Sequence, residues 1–267
     1  MNHTIDGHTK LIGLIADPIG HVRTPQALNA KWHDENANYV TIPLHVSAQN
    51  LSQMVQGLVG VKNFMGLIAT IPHKQALAEL CTQTSDSVQI SGAANVARIT
   101  PKGELVGENF DGCGFADGLE YQGHFIARKH VRLIGAGGAA SAIALEVIRR
   151  GCDRLAIVNR SRDKAEALTA RIQSVFPDAN ITVCQKEKDD ARADMVINAT
   201  SLGMRENDDA PSTMYNCAPH AVAAEVIMVP EETLFLREAH KNGFAIHHGH
   251  HMMKQQLKLI SQFLGVF

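Results

Sequence analysis

The chain has 267 residues, 45% of them apolar and 19% charged, with a formal net charge of −2. That is the composition of a soluble folded protein long enough for two α/β domains, and its near-neutral charge offers nothing to a polyanion, so nucleic acid is excluded as a partner. Five cysteines (Cys81, Cys113, Cys152, Cys184, Cys217) lie scattered without a CxxC pair. This excludes a disulfide framework or a zinc ribbon and fits a reducing cytoplasm. Residues 1–10 are polar and contain no signal-peptide core, and no apolar run approaches the roughly 20 residues of a membrane span. A cytoplasmic enzyme or ligand-binding protein without a membrane partner is expected.

In chain order, the short apolar runs LIGLIA (Leu11–Ala16), YVTIPL (Tyr39–Leu44) and FMGLIA (Phe64–Ala69) read as buried strands. TPQALNAKWHDEN and SAQNLSQMVQGLVG, between them, have helical spacing, with Trp32 expected in the core. This alternation predicts a mostly parallel sheet flanked by helices. Next, Pro72 suits a first helical position and puts Lys74 in the first turn of a helix. The dipole opposes an ammonium there. Either the lysine stem simply reaches water, or Lys74 handles a proton. SGAANV then carries Asn95 amid small residues, and GENFDGCGF carries Asn109 and Asp111 amid glycines. Asp111 is at the least an N-cap candidate for the helix that follows.

A second series begins near His130. HVRLIGAGGAA is a strand entering a glycine turn, followed by the helix SAIALEVIRRG and the strand RLAIVN. GAGGAA (Gly135–Ala140) has the GxGxx(G/A) form of a dinucleotide loop. Gly135 permits the tight turn, Gly137 lets backbone approach a pyrophosphate, and Ala140 allows close helix–strand packing. Where NAD enzymes place an acid on the next strand, this one ends in Asn159, followed by Arg160, Ser161, Arg162 and Lys164. That cluster attracts a 2′-phosphate and favours NADP(H). A helix (SRDKAEALTARIQSVF), the strands DMVINAT and HAVAAEVI, and a last helix from about His250 to Phe267 complete the chain.

These motifs, in this order, resemble those of the shikimate/quinate dehydrogenase family over essentially the whole length. PHK resembles the catalytic-lysine motif, GAANV the family's GAxNT, and GENFDGCGF its GxNTDGxGF. GAGGAA matches the nucleotide loop, NRS the NRT motif, NATSLGM (Asn198–Met204) its own counterpart, and GHHMMKQQ a GxxMLxxQ pattern. The resemblance implies two α/β domains facing a cleft: a substrate domain of residues 1–107 and 248–267, and an NADP-binding Rossmann domain of residues 108–247. It implies Lys74 and Asp111 as the catalytic pair, with Asn95, Thr70 and Gln256 at the substrate. Gly135, Ala136, Gly137, Gly138 and Ala139 would carry the pyrophosphate. Asn159, Arg160, Ser161 and Lys164 would meet the 2′-phosphate, with Thr200, Ser201 and Met204 beside the nicotinamide half. A small-molecule substrate, a monomer or homodimer, and a place in aromatic amino acid biosynthesis are the family expectations.

The departures fall on the substrate side. Where the family has a Ser-x-Ser pair holding the substrate carboxylate, GHVRTP offers Val22 and Thr24. An asparagine is replaced by Ile68, the threonine of NTDG by Phe110, and the tyrosine of VYxP by Met228. Each lost charge-assisted bond to a buried carboxylate removes roughly 1.5–3 kcal/mol. Weak activity on shikimate is therefore expected unless Arg23 or a histidine supplies another anion anchor. The alternatives are the ordinary shikimate or quinate reaction, or a regulatory protein that binds NADPH without turnover. HHGHH (His247–His251) contains no Asp, Glu or Cys, so no metal site is expected there. KEKDDARAD (Lys186–Asp194) reads as a charged surface segment.

Overall fold

A computed structural model describes residues 5–20 and 22–266. Its contacts divide the chain into two units, Met1–Phe110 with Leu257–Phe267, and Asp111–Gln256. The first unit runs β1 (Lys10–Ala16), α1 (Thr24–Asp34), β2 (Tyr39–His45), α2 (Leu51–Val59), β3 (Phe64–Ala69), α3 (Lys74–Leu80), β4 (Gln83–Thr84), α4 (Asp86–Ser91), β5 (Val96–Ile99) and β6 (Leu105–Glu108). These strands form one sheet in the order β2-β1-β3-β5-β6-β4. β1 is parallel to β2 and β3, as helical crossovers require. β5 runs antiparallel to both β3 and β6, closing on a turn in which Thr100 N–H donates to the Glu104 carbonyl.

Helices cover both faces, which is why these strands read as continuous apolar runs rather than alternating ones. Successive residues still point to opposite sides. Leu14 and Ile68 join Trp32, Leu28 and Val96 in one core, while Ile15 and Leu67 join Leu51, Val55 and Leu77 in the other. Trp32 is fully buried and its indole N–H donates to Thr41 Oγ1 at 2.9 Å.

The second unit runs α5 (Asp111–Tyr121), β7 (His130–Ile134), α6 (Gly138–Arg149), β8 (Arg154–Val158), α7 (Arg162–Gln173), β9 (Ile181–Cys184), β10 (Ala193–Asn198), β11 (Cys217–Glu225), α8 (Leu234–Lys241) and β12 (Ala245–His247), then enters α9 (His250–Phe263). Its sheet has the order β12-β11-β10-β7-β8-β9, every pair parallel. Counted from β7, that is the doubly wound dinucleotide-binding order, with its switch point between β7 and β10.

Two details differ from the sequence reading. The return to the first unit begins at Leu257, inside α9, rather than at 248. The early turns of α9 pack on α5, with the Lys254 ammonium 5.6 Å from the Tyr121 ring centre. Beyond them, Ile260 and Leu264 enter the core around Ile12 and Trp32. The KEKDDARAD segment is not all surface. Asp190 is buried, and its Oδ2 accepts from Arg132 Nε at 2.9 Å. Arg132, itself buried, also donates to the carbonyls of Tyr215 (2.7 Å) and Ala191 (3.0 Å). Burial pushes the Asp190 carboxyl up, but bonds from His130 and Arg132 outweigh it and hold the group below its ordinary value.

Candidate active site

In the first unit, the expected site residues gather at the carboxyl ends of β1 and β3. Thr70 N–H donates to Ile15 O at 3.1 Å, and Ala69 N–H to Asn95 O at 2.9 Å. Helix α3 starts at Lys74 with His73 as its N-cap, so Pro72 precedes the cap instead of occupying the first turn. His73 is buried, and its Nε2 bonds the Val46 carbonyl at 2.8 Å, anchoring the turn that presents Lys74. The Lys74 carbonyl accepts from Ala94 N–H at 2.9 Å, which fixes the lysine's backbone to the GAANV segment. Asn95 is buried, and its Oδ1 accepts from Phe110 N–H at 3.1 Å. Asn109 is structural: its amide donates to Ser91 Oγ (3.0 Å) and to the Ala93 carbonyl (2.9 Å).

The replaced positions share one environment. Ile68 is buried in the core of Ile12, Leu14 and Trp32, and Val22 and Phe110 pack against that same cluster. Phe110 meets Phe263 edge-on, ring centres 5.7 Å apart. Three positions far apart in sequence thus lie in or against one apolar cluster. Thr24, half-buried at the start of α1, stays polar.

In the second unit, Asp111 is buried as the first residue of α5, and its Oδ1 accepts from Gln256 Nε2 at 2.7 Å. Catalytic and substrate-side candidates 145 residues apart therefore meet directly. The glycine turn lies at the switch point. Gly135 has φ of 116°, and a Cβ there would sit 3.0 Å from the Ala199 carbonyl. Gly137 caps α6, and a Cβ at Gly137 or Gly138 would meet nothing within 4 Å. Open amides at a helix start are what a pyrophosphate needs, while Ala140 is fully buried against the sheet.

Asn159, the residue after β8, donates to the Ser161 carbonyl at 2.8 Å and shapes the next turn. Arg160 and Lys164 are exposed beside it, whereas Arg162 is drawn to Glu166 at 2.7 Å and turns to an i,i+4 pair. Across the switch point, Asn198 Oδ1 accepts from Thr200 N–H (3.1 Å) and Thr200 Oγ1 (2.7 Å), ordering the loop of Thr200, Ser201 and Met204. Met204 and Met228 are both exposed.

Two buried titratable groups also stand out in the second unit. Glu225, fully buried at the end of β11, accepts from Thr233 Oγ1 at 2.9 Å, with the Asn198 amide at 3.4 Å. Burial pushes its carboxyl up to about 7. His247, paired with Ala224 across β11–β12, is buried between Phe115 and His251, and neither ring nitrogen has a hydrogen bond. Burial, reinforced by neighbouring histidines, lowers its pKa to about 3.

Comparison with known proteins agrees with this architecture. Residues 14–97 match the model of the shikimate dehydrogenase substrate binding domain, and residues 120–205 that of shikimate / quinate 5-dehydrogenase. A shikimate dehydrogenase (NADP(+)) of Rubrobacter xylanophilus is 33% identical, covering 94% of this chain and 89% of its own. A shikimate dehydrogenase solved in complex with NADP+ superposes with a TM-score of 0.88 at 29% identity, covering 98% of this chain and 91% of that one. The ligand-free 5-ketofructose reductase of Gluconobacter sp. strain CHM43 superposes with a TM-score of 0.86 at 30% identity, covering 96% and 92%. Among the described residues no helix is long and apolar enough to cross a membrane. With both halves matched in order and a relative of this identity aligned nearly end to end, the chain belongs to the shikimate/quinate dehydrogenase family.

Proposed function

We propose that this protein is an NADP-dependent dehydrogenase in which the family's proton-transfer residues act on a substrate gripped differently from shikimate. The observation that carries the proposal is the common apolar packing of Val22, Ile68 and Phe110. A carboxylate set against such a surface loses hydrogen bonds worth roughly 1.5–3 kcal/mol each. A cyclic or sugar-like alcohol or ketone loses far less, and a family-like fold is shared by a protein named for reducing 5-ketofructose.

In the proposed roles, Lys74 and Asp111 take the alcohol proton in the oxidation direction and return it in reduction. Asn95 and Thr70 hydrogen-bond the substrate, and Gln256 holds Asp111 in place through its 2.7 Å bond. Gly135–Ala139 carry the pyrophosphate, Arg160 and Lys164 the 2′-phosphate, and Thr200, Ser201 and Met204 flank the nicotinamide. Bound NADP(H) supplies the hydride acceptor or donor.

The ordinary shikimate reaction is the second reading, supported by a relative of 33% identity named for it. In that case Thr24, or Arg23 beside it, replaces the missing carboxylate partners. A panel of shikimate, quinate, cyclic polyols and keto-sugars with NADP(H) decides between the two. The first reading expects shikimate to show a kcat/KM at least tenfold below the best neutral substrate. Shikimate turnover with a KM and kcat equal to or better than every neutral compound refutes it.

A further inference from the structure

The histidine run His247–His251 has no part in the proposed reaction. Sequence spacing gave it no carboxylate, yet the turn after β11 delivers one. A nitrogen from each of His248 and His250 and a carboxylate oxygen of Glu231 all lie within 4.8 Å of one another. His250 Nδ1 is 3.8 Å from Glu231 Oε1. Backbone packing makes this approach possible: a Cβ at Gly249 would fall 2.3 Å from the Ile227 carbonyl oxygen, so only glycine lets the two segments touch.

The tautomer is suitable as well. His248 Nδ1 lies 3.0 Å from the Glu231 main-chain carbonyl. Donating there leaves the lone pair on Nε2 and orients the ring, as the outer hydrogen bonds of metal-bound imidazoles do. The two rings stack with centres 5.5 Å apart and 22° between planes. Two imidazole nitrogens and one carboxylate oxygen, with Glu231 exposed, form a donor set for a borderline divalent metal that keeps room for water.

We propose that Glu231, His248 and His250 bind a divalent transition-metal ion of the zinc class. Metal–ligand lengths near 2.0–2.1 Å put tetrahedral donors about 3.3 Å apart, so side-chain rotation within the present spacing closes the site. The bound ion ties the 226–232 loop, which carries the exposed Met228, to the first turn of α9. Hard ions such as Mg²⁺ are poorly matched to the imidazoles.

The test uses tag-free, full-length protein stripped with EDTA and titrated with Zn²⁺ by calorimetry, with Mg²⁺ in parallel. Co²⁺ absorbance reads the donor set independently. One Zn²⁺ per chain with a Kd below about 100 µM is expected, with no saturable Mg²⁺ binding. Glu231→Gln and His250→Ala should each weaken Zn²⁺ at least about tenfold, with unchanged circular dichroism without metal. His33→Ala, at an exposed histidine in the first unit, should leave binding intact. Absence of one-to-one Zn²⁺ binding overturns the proposal. So does binding that survives Glu231→Gln and is abolished by His251→Ala, which marks a histidine-only site. Should one ligand variant lose its native circular dichroism, the other decides.

Discussion

Replacing His247 with phenylalanine should change the pH dependence of stability more than its value at neutral pH. A buried imidazole held near 3, against 6.5 when exposed, stays neutral in the fold while the unfolded chain takes up a proton below 6.5. The unfolded state then binds more protons, so stability falls as pH drops through this window. At about 1.36 kcal/mol per pKa unit, His247 destabilises the protein by about 2 kcal/mol between pH 7 and 5. Glu225 opposes it. Its folded pKa of about 7 exceeds its ordinary 4.5, so its contribution is full at low pH and is lost as pH rises through 7. Over the same interval, acidification gains about 2 kcal/mol from that group. The two nearly cancel in the native protein, and each variant unmasks the other. His247→Phe loses no hydrogen bond and stays against the Phe115 ring. Relative to the native protein, it should gain about 2 kcal/mol on going from pH 7 to 5, while Glu225→Gln should lose about as much. Urea unfolding followed by far-ultraviolet circular dichroism in EDTA, at pH 5, 6 and 7, measures both. Profiles parallel to the native one within about 0.5 kcal/mol would refute the claim that burial holds these groups neutral.

Lys74→Ala should lower turnover by about 10²–10⁴-fold while leaving NADPH affinity unchanged in a fluorescence titration; unaltered turnover means that Lys74 moves no proton. Arg160→Ala combined with Lys164→Ala should raise the KM for NADP⁺ at least about a hundredfold, each contact contributing roughly 1.5–3 kcal/mol, and leave NAD⁺ kinetics unaffected. Equal losses with both cofactors contradict the 2′-phosphate assignment. Asp190→Ala takes from the buried Arg132 guanidinium its nearest carboxylate, leaving Glu187 at 3.7 Å, and should cost about 3–5 kcal/mol in unfolding free energy. A loss under about 1 kcal/mol shows that solvent or another carboxylate compensates Arg132.

Much of the site was readable in the sequence because its determinants are local. The glycine turn needs a strand before it and a helix after it, and both lie within twenty residues of Gly135. Lys74 was conspicuous because a cation at a helix start opposes the dipole, and the structure does begin α3 there. The individual losses at Val22, Ile68 and Phe110 were equally visible. That all three lie in or against one apolar cluster was not, since spacing along a chain says nothing about which side chains pack together.

What spacing along the chain does not show has the same origin. Lys186–Asp194 reads as solvated because its charges are dense, but Arg132, 58 residues from Asp190, takes that carboxylate out of solvent. Glu231 stands apart from the histidines in sequence and beside them in space. By itself the sequence determined the strand–helix alternation in each half, the dinucleotide turn and the family, because backbone periodicity and short motifs are written within a few turns of chain. Only the tertiary structure decided which groups are desolvated and which charges meet. Burial and pairing depend on residues that the chain brings back from far away, as Gln256 is brought to Asp111.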